Sequence, residues 1–172
     1  HSNGDKGVRT RCSDDLLWLV WALCEYVEAT GDTDICELEE YYVNSPLLDA
    51  AERDRYETPE PSGQKASVLD HAKSALECCI ARGEHGLPLM GSGDWNDGLD
   101  DSGGESLWLG WFFAHCANRF AALLDKLCKL NASRYAEFAR KTASAADEGW
   151  NGQWYLRGYL ADGGATGGVE RI

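Results

Sequence analysis

An all-α architecture is predicted by three features of this 172-residue sequence. Apolar residues recur at steps of three and four along several long segments, start and stop signals bracket those segments, and the recurring unit is a long helix, a loop and another helix. The first helix is expected to start at Ser13, with Asp14 and Asp15 at the positive end of its dipole, and to run through "LLWLVWALCEYVEAT" to Gly31. Leu16, Leu17, Val20, Leu23, Cys24 and Val27 form its apolar stripe, and Trp18, Leu19 and Trp21 widen it. A short helix is expected around Asp34 to Tyr42, and then an irregular connection, "NSPLLDAAERDRYETPEPSG", whose length suits a functional rim. The spacing of Val68, Ala72, Ala75, Leu76 and Cys79 predicts a second helix over 66–82, ended near Gly83. A third is expected from about Glu105 through "SLWLGWFFAHCANRFAALLDKLCKL", and a fourth from about Ser133 to Ala146. The tail "WNGQWYLRGYLADGG" then reads as a hairpin or extended segment.

Composition narrows the function. Hydrophobic residues make up 44% of the chain and tryptophan occurs seven times, as in a globular protein with a sizeable core. Lys plus Arg total 16 against 29 Asp plus Glu, so a net charge of -13 repels phosphate backbones and anionic lipid surfaces, and nucleic acid is excluded as a partner. The longest purely apolar run, 16–24, is far shorter than the roughly 20 residues that span a bilayer. The start, "HSNGDKGVRTR", has no apolar stretch resembling a secretory signal. Seven cysteines, with no CxxC pair and mostly at helical spacing among apolar residues, read as small buried hydrophobes of a reducing cytoplasm, with no disulfide framework or zinc site.

The segment "GLPLMGSGDWNDGLDDSGGE", residues 86–105, is too glycine-rich for a helix, yet it concentrates carboxylates around Trp95. As a calcium loop it would place Asp94 first, Asn96 third and Glu105 twelfth, but Gly98 then falls where an oxygen ligand belongs and Leu99 where the sharp turn needs glycine. A catalytic loop explains more of it. Gly91, Gly93 and Gly98 permit tight turns and close approach of a ligand, Trp95 offers a flat face for a sugar ring, and Asp94 and Asp97 put two carboxyls on one turn. One of the two acts as general acid while the other orients the backbone, and spacing alone leaves the roles exchangeable.

Other residues have plainer readings. His71 and His115 are assigned to packing or surface positions within helices, and His85 to shaping the loop. Trp108 and Trp111 are assigned to the core. Glu105 reads as a cap for the third helix, with a contact to the substrate pocket as the minor reading. Arg157, between Tyr155 and Tyr159, is read either as facing a ligand or as stacked for structural reasons.

Two blocks in order, "GVRTRCSDDLLWLVWALCEYVEATGD" and "GLPLMGSGDWNDGLDDSGGESLWLGWFF", together with "ERDRYETP" and "GQWYLRGYLADGG", resemble family 94 of the glycoside hydrolases and phosphorylases. That family includes cellobiose and chitobiose phosphorylases and the phosphorylase-like domain of cyclic β-1,2-glucan synthases. The resemblance covers nearly the whole chain. It implies part of an (α/α)6 barrel catalytic domain over residues 1–172, as a fragment of a larger polypeptide whose further segments supply a phosphate-binding histidine and threonine. It implies inverting phosphorolysis of a cellobiose-like or β-1,2-linked glucoside to an α-sugar 1-phosphate. Asp97 is then the general acid and Trp95 a sugar contact, with Arg9 and Asp15 favoured for holding the donor sugar and the neighbouring Arg11 and Asp14 as the alternatives. Inorganic phosphate would be a co-substrate, with no metal and no organic cofactor. The implied setting is the cytoplasm, or the soluble part of a membrane-bound glucan synthase, with a homodimer in the parent protein. The alternative function is a non-catalytic carbohydrate-binding or calcium-binding helical domain.

Overall fold

A computed structural model of the chain describes residues 6–91, 93, 95 and 103–167. Asp94 and Asp97, on which the acid–base reading rests, lie outside the described residues. Four α-helices are described: α1 (Asp15–Thr30), α2 (Val68–Cys78), α3 (Leu107–Lys126) and α4 (Ala132–Asp147). Between and beyond them run β1 (Gly7–Arg9), β2 (Glu39–Asn44), β3 (Arg55–Glu57), β4 (Glu60–Ser67), β5 (Glu105–Ser106), β6 (Gly158–Tyr159) and β7 (Ala165–Thr166). These strands pair antiparallel as β1–β3, β2–β4 and β5–β6–β7. The expectation of an all-α piece of an (α/α)6 barrel is therefore overturned: small antiparallel sheets accompany the helices.

The four long helices form where periodicity predicts them, because each buries a stripe at three- and four-residue steps. Leu17, Val20, Leu23 and Val27 of α1 meet Leu69, Ala72 and Leu76 of α2 and Phe113, Cys116 and Phe120 of α3 in one core. The largest helix interface is between α3 and α4, across which Phe120 and Tyr135 meet edge to face at 5.2 Å. A second cluster joins Leu87, Leu107 and Ala146. Trp18 and Trp21, read as part of the buried stripe, are instead 38% and 36% exposed, and Trp111, assigned to the core, is also 36% exposed.

The short helix expected over 34–42 is a 3-10 turn, Asp34–Glu37, followed by β2. Tyr41, Tyr42 and Val43 favour extended backbone, and their pairing with β4 supplies the hydrogen bonds a helix would have made internally. The connection read as irregular contains β3 and the start of β4. Helix termini also shift. Gly31 ends α1 in the left-handed region at φ 74, as expected, but the residue preceding α1 is Asp14 and its side chain makes no capping bond. Ser67 caps α2 through Asp70 N–H at 3.1 Å, and Ser106, rather than Glu105, caps α3 through Leu109 N–H at 3.1 Å. Among the described residues no helix is long and apolar enough to cross a membrane.

Candidate active site

The two sequence blocks that carry the functional reading meet in space. Ser13 donates both its backbone N–H and its hydroxyl to the Gly93 carbonyl, each at 3.0 Å, and Cys12 pairs with Gly91 in an isolated antiparallel bridge. The start of the acidic loop is thus fastened to the segment entering α1. Its far end is fastened too, since Met90 N–H donates to the Gly104 carbonyl at 2.8 Å and β5 pairs with β6. Gly91 and Gly103 both sit at φ 62, a left-handed backbone that suits glycine at the two ends of the loop. The hydroxyl of Ser13 is spent on this tie, which accounts for its failure to cap α1.

Trp95 projects from the loop and is 67% exposed. Its ring lies 6.1 Å from that of Trp108 at an interplanar angle of 25°, and 6.2 Å from that of Trp18 at 53°. Trp18 in turn packs on Phe112 at 4.6 Å. The indole of Trp95 is therefore backed by aromatic rings from α1 and α3, while most of its surface faces solvent, as an apolar stacking platform requires.

The arginines and aspartates of "RTRCSDD" have separate surroundings. Arg9 Nη1 donates to Ser45 Oγ at 2.8 Å, and Ser45 donates to Glu57. Arg11 Nη2 donates to the carbonyls of Leu48 and Asp49, at 2.9 and 2.5 Å. Both guanidiniums thus brace the connection after β2. Asp15 is exposed and accepts from the Thr10 hydroxyl. Asp14 is 4% exposed, and its Oδ2 accepts from Trp18 Nε1 at 2.9 Å. Among the described residues, Cys12, Asp14 and Asp15 bring ligand-type atoms within 4.8 Å of one another, but both carboxylates already accept hydrogen bonds from protein donors.

A second polar centre joins β5 to the segment after α2. Glu105 is 4% exposed, and its carboxylate accepts from the backbone N–H of His85 at 3.1 Å and of Leu87 at 2.9 Å, and meets His85 Nδ1 at 2.6 Å. His85 stacks on Tyr159 at 3.5 Å with only 4° between the ring planes, which agrees with its reading as a residue that shapes the loop. His71 binds the Glu40 carbonyl at 3.1 Å and packs on Tyr42, and His115 is exposed on α3. Arg157 is exposed, and its backbone joins the β6–β7 sheet through Thr166. All seven cysteines are thiols. Burial raises those of Cys24 and Cys79 to about 11 and that of Cys116 to about 12, so they are inert at neutral pH.

The model of the glycosyl hydrolase 94 superfamily catalytic domain matches residues 1–171. The chain belongs to this superfamily. Among its relatives, the cyclic beta-(1,2)-glucan synthase NdvB of Rhizobium meliloti is 36% identical over 96% of this chain and 6% of that protein. The N,N'-diacetylchitobiose phosphorylase of Vibrio proteolyticus is 30% identical over 99% of the chain and 20% of its own length. The solabiose phosphorylase of Paenibacillus borealis is 29% identical over 90% and 19%. The chain thus spans about a fifth of the length of these phosphorylase relatives, and a far smaller share of the synthase.

Sequence reasoning named Asp14 beside Asp15 and Trp18 in the apolar stripe, but it did not pair the two as the structure does. Their signal was present as an i, i+4 spacing, which puts an acceptor and an indole N–H on one helix face. It was masked by the apolar run in which Trp18 stands.

Proposed function

We propose that the protein to which this chain belongs phosphorolyses a β-glucoside, cellobiose-like or β-1,2-linked, with inversion. A phosphate oxygen attacks the anomeric carbon on the face opposite the leaving oxygen, and the glycosidic C–O bond breaks. The proton of the Asp97 carboxyl passes to that departing oxygen, leaving an α-sugar 1-phosphate. An inverting hydrolase needs a second carboxylate, roughly 6.5–9.5 Å away, to activate water. Phosphate is already an anionic nucleophile, so one proton donor suffices. Asp97 must then stay protonated near neutrality, through desolvation or the charge of the bound phosphate. Arg9 and Asp15 hold the donor sugar and Trp95 stacks against it. Phosphate serves as co-substrate without a metal.

The observation that carries this reading is Trp95: an indole 67% exposed, backed by Trp108, on a loop tied at Gly93 to the block containing Arg9 and Asp15. Family membership and the phosphorylases among the relatives support the reaction type. Support for the substrate comes from the synthase and from the β-linked disaccharide acted on by the 3-O-beta-D-glucopyranosyl-beta-D-glucuronide phosphorylase of Paenibacillus borealis.

The test supplies the full-length protein with phosphate and cellobiose, a β-1,2-linked glucobiose or N,N'-diacetylchitobiose, and follows sugar 1-phosphate by NMR. The α anomer is expected, unaffected by chelators, and Asp97→Asn is expected to lower kcat by about 10²–10⁴-fold. A β product would refute inversion, and undiminished turnover in the variant would remove Asp97 from the chemistry.

A further inference from the structure

We infer that Asp14 is a positioning residue that sets the plane of Trp95 through Trp18, and with it the fit of the sugar; the inference rests on the stacking role proposed for Trp95.

An aspartate preceding a helix ordinarily caps it, adopting extended backbone so that its carboxylate can accept from the second or third N–H. Asp14 does neither. Its backbone is helical, at φ -92 and ψ -19, and its carboxylate makes no capping bond. Instead the buried carboxylate lies along the helix face and accepts from Trp18 Nε1 at 2.9 Å. A carboxylate oxygen is a strong acceptor for an indole N–H. An indole has one N–H donor, so fixing that atom fixes the rotation of the whole ring.

Trp18 is well placed to transmit this. It packs on Phe112 at 4.6 Å and on Trp21 at 5.8 Å, and it stands 6.2 Å from Trp95. Among the described residues, two aromatic rings support Trp95. Although 67% exposed, it rests on Trp108 at 25° and against Trp18 at 53°, two rings at different angles that together define one orientation. Without the Asp14 acceptor, Trp18 gains rotational freedom and the support it gives Trp95 loosens. A stacking platform that must be ordered at the moment of binding weakens affinity by the cost of ordering it. The effect therefore falls on sugar binding rather than on proton transfer or phosphate.

The experiment measures steady-state phosphorolysis of cellobiose by the full-length protein, alongside near-ultraviolet circular dichroism, which reads the coupled indoles whether or not a sugar turns over. Asp14→Ala is expected to raise the sugar KM about tenfold, with kcat and the phosphate KM within about twofold of the parent. Asp14→Asn retains an acceptor oxygen and is expected to restore the sugar KM to within about threefold. Trp18→Phe removes the N–H while keeping an aromatic ring, leaves the α1 terminus intact if Asp14→Ala folds poorly, and is expected to match it. The double variant should be no worse than either single one.

The near-ultraviolet bands lost in Trp95→Phe should weaken in both single variants. An unchanged sugar KM, additive effects in the double variant, or a parallel fall in kcat would overturn the proposal. Unaltered near-ultraviolet bands would overturn it even if cellobiose is not a substrate. Altered bands in a protein that phosphorolyses no β-glucoside would instead uphold the Asp14 to Trp95 linkage and discard the functional reading.

Discussion

Glu105 illustrates how a single residue can hold a loop in place. An ionised carboxylate at 4% exposure is costly unless its oxygens are satisfied, and here two backbone N–H groups and the His85 ring satisfy them. Room for this comes from Gly83: a Cβ there would lie 2.3 Å from Glu105 Cδ, so any larger residue would expel the carboxylate. Sequence reading took Gly83 as a helix stop and Glu105 as a cap, since neither pattern reveals that residues 20 apart share a carboxylate. Removing the acceptor leaves the buried Leu87 N–H without its partner and frees the half-exposed His85 donors. Glu105→Ala is therefore expected to cost about 3 kcal/mol of unfolding free energy, and Glu105→Gln, which keeps one acceptor oxygen, about half of that. Urea unfolding checks the order. Equal losses in the two variants would mean that volume, and not hydrogen bonding, sets the contribution of Glu105.

At the level of helices and strands, legibility followed solvent contact. A helix that packs on one side announces itself by its stripe, which is how α1 to α4 were all foreseen near their true limits. The β2–β4 ribbon is mostly exposed on both faces, so it has no alternating pattern, and its partner strand "EPSGQKAS" carries residues that ordinarily mark turns. Strands β5 to β7 are only two residues each, too short for any period to register. Caps were harder to place than helices because several Ser and acidic residues compete at each start. The two that do cap are not equivalent. Ser106 is 1% exposed and its acceptor is irreplaceable by water, whereas Ser67 sits near the surface. Ser106→Ala is expected to cost about 2 kcal/mol and Ser67→Ala about 1 kcal/mol or less. Thermal or chemical unfolding of the two variants measures this, and a larger loss at Ser67 would contradict it.

Across the whole molecule, the candidate site depends on a meeting that no local pattern encodes. The tie between Ser13 and Gly93 spans 80 residues, and only likeness to a family pointed to the two blocks as one site. Composition carried through for four of the seven cysteines: Cys24, Cys36 and Cys116 are buried and Cys79 half-buried within or against the helical core, whereas Cys12, Cys78 and Cys128 are exposed. That burial has a consequence for stability. Cys24 and Cys79 are held up at about 11 and Cys116 at about 12, against an ordinary 9.0, because a thiolate in the core would lose its hydration. Tyr135 is raised from 10.0 to about 12 by burial and then by its hydrogen bond to Glu77. The folded protein therefore keeps these protons after the unfolded chain has released them. Stability from these groups is complete below about pH 9, where both states are protonated, and declines as pH rises toward 12, since the unfolded state then binds fewer protons. The unfolding free energy from urea titration is expected to be insensitive to these groups between pH 7 and about pH 8.5 and to fall progressively above about pH 9, by several kcal/mol in total. Replacing Cys24, Cys79 and Cys116 together by alanine should flatten that decline even though it lowers stability at neutral pH. An unfolding free energy that holds steady or rises up to about pH 11 in the parent protein would show that these thiols and the Tyr135 hydroxyl ionise as readily folded as unfolded.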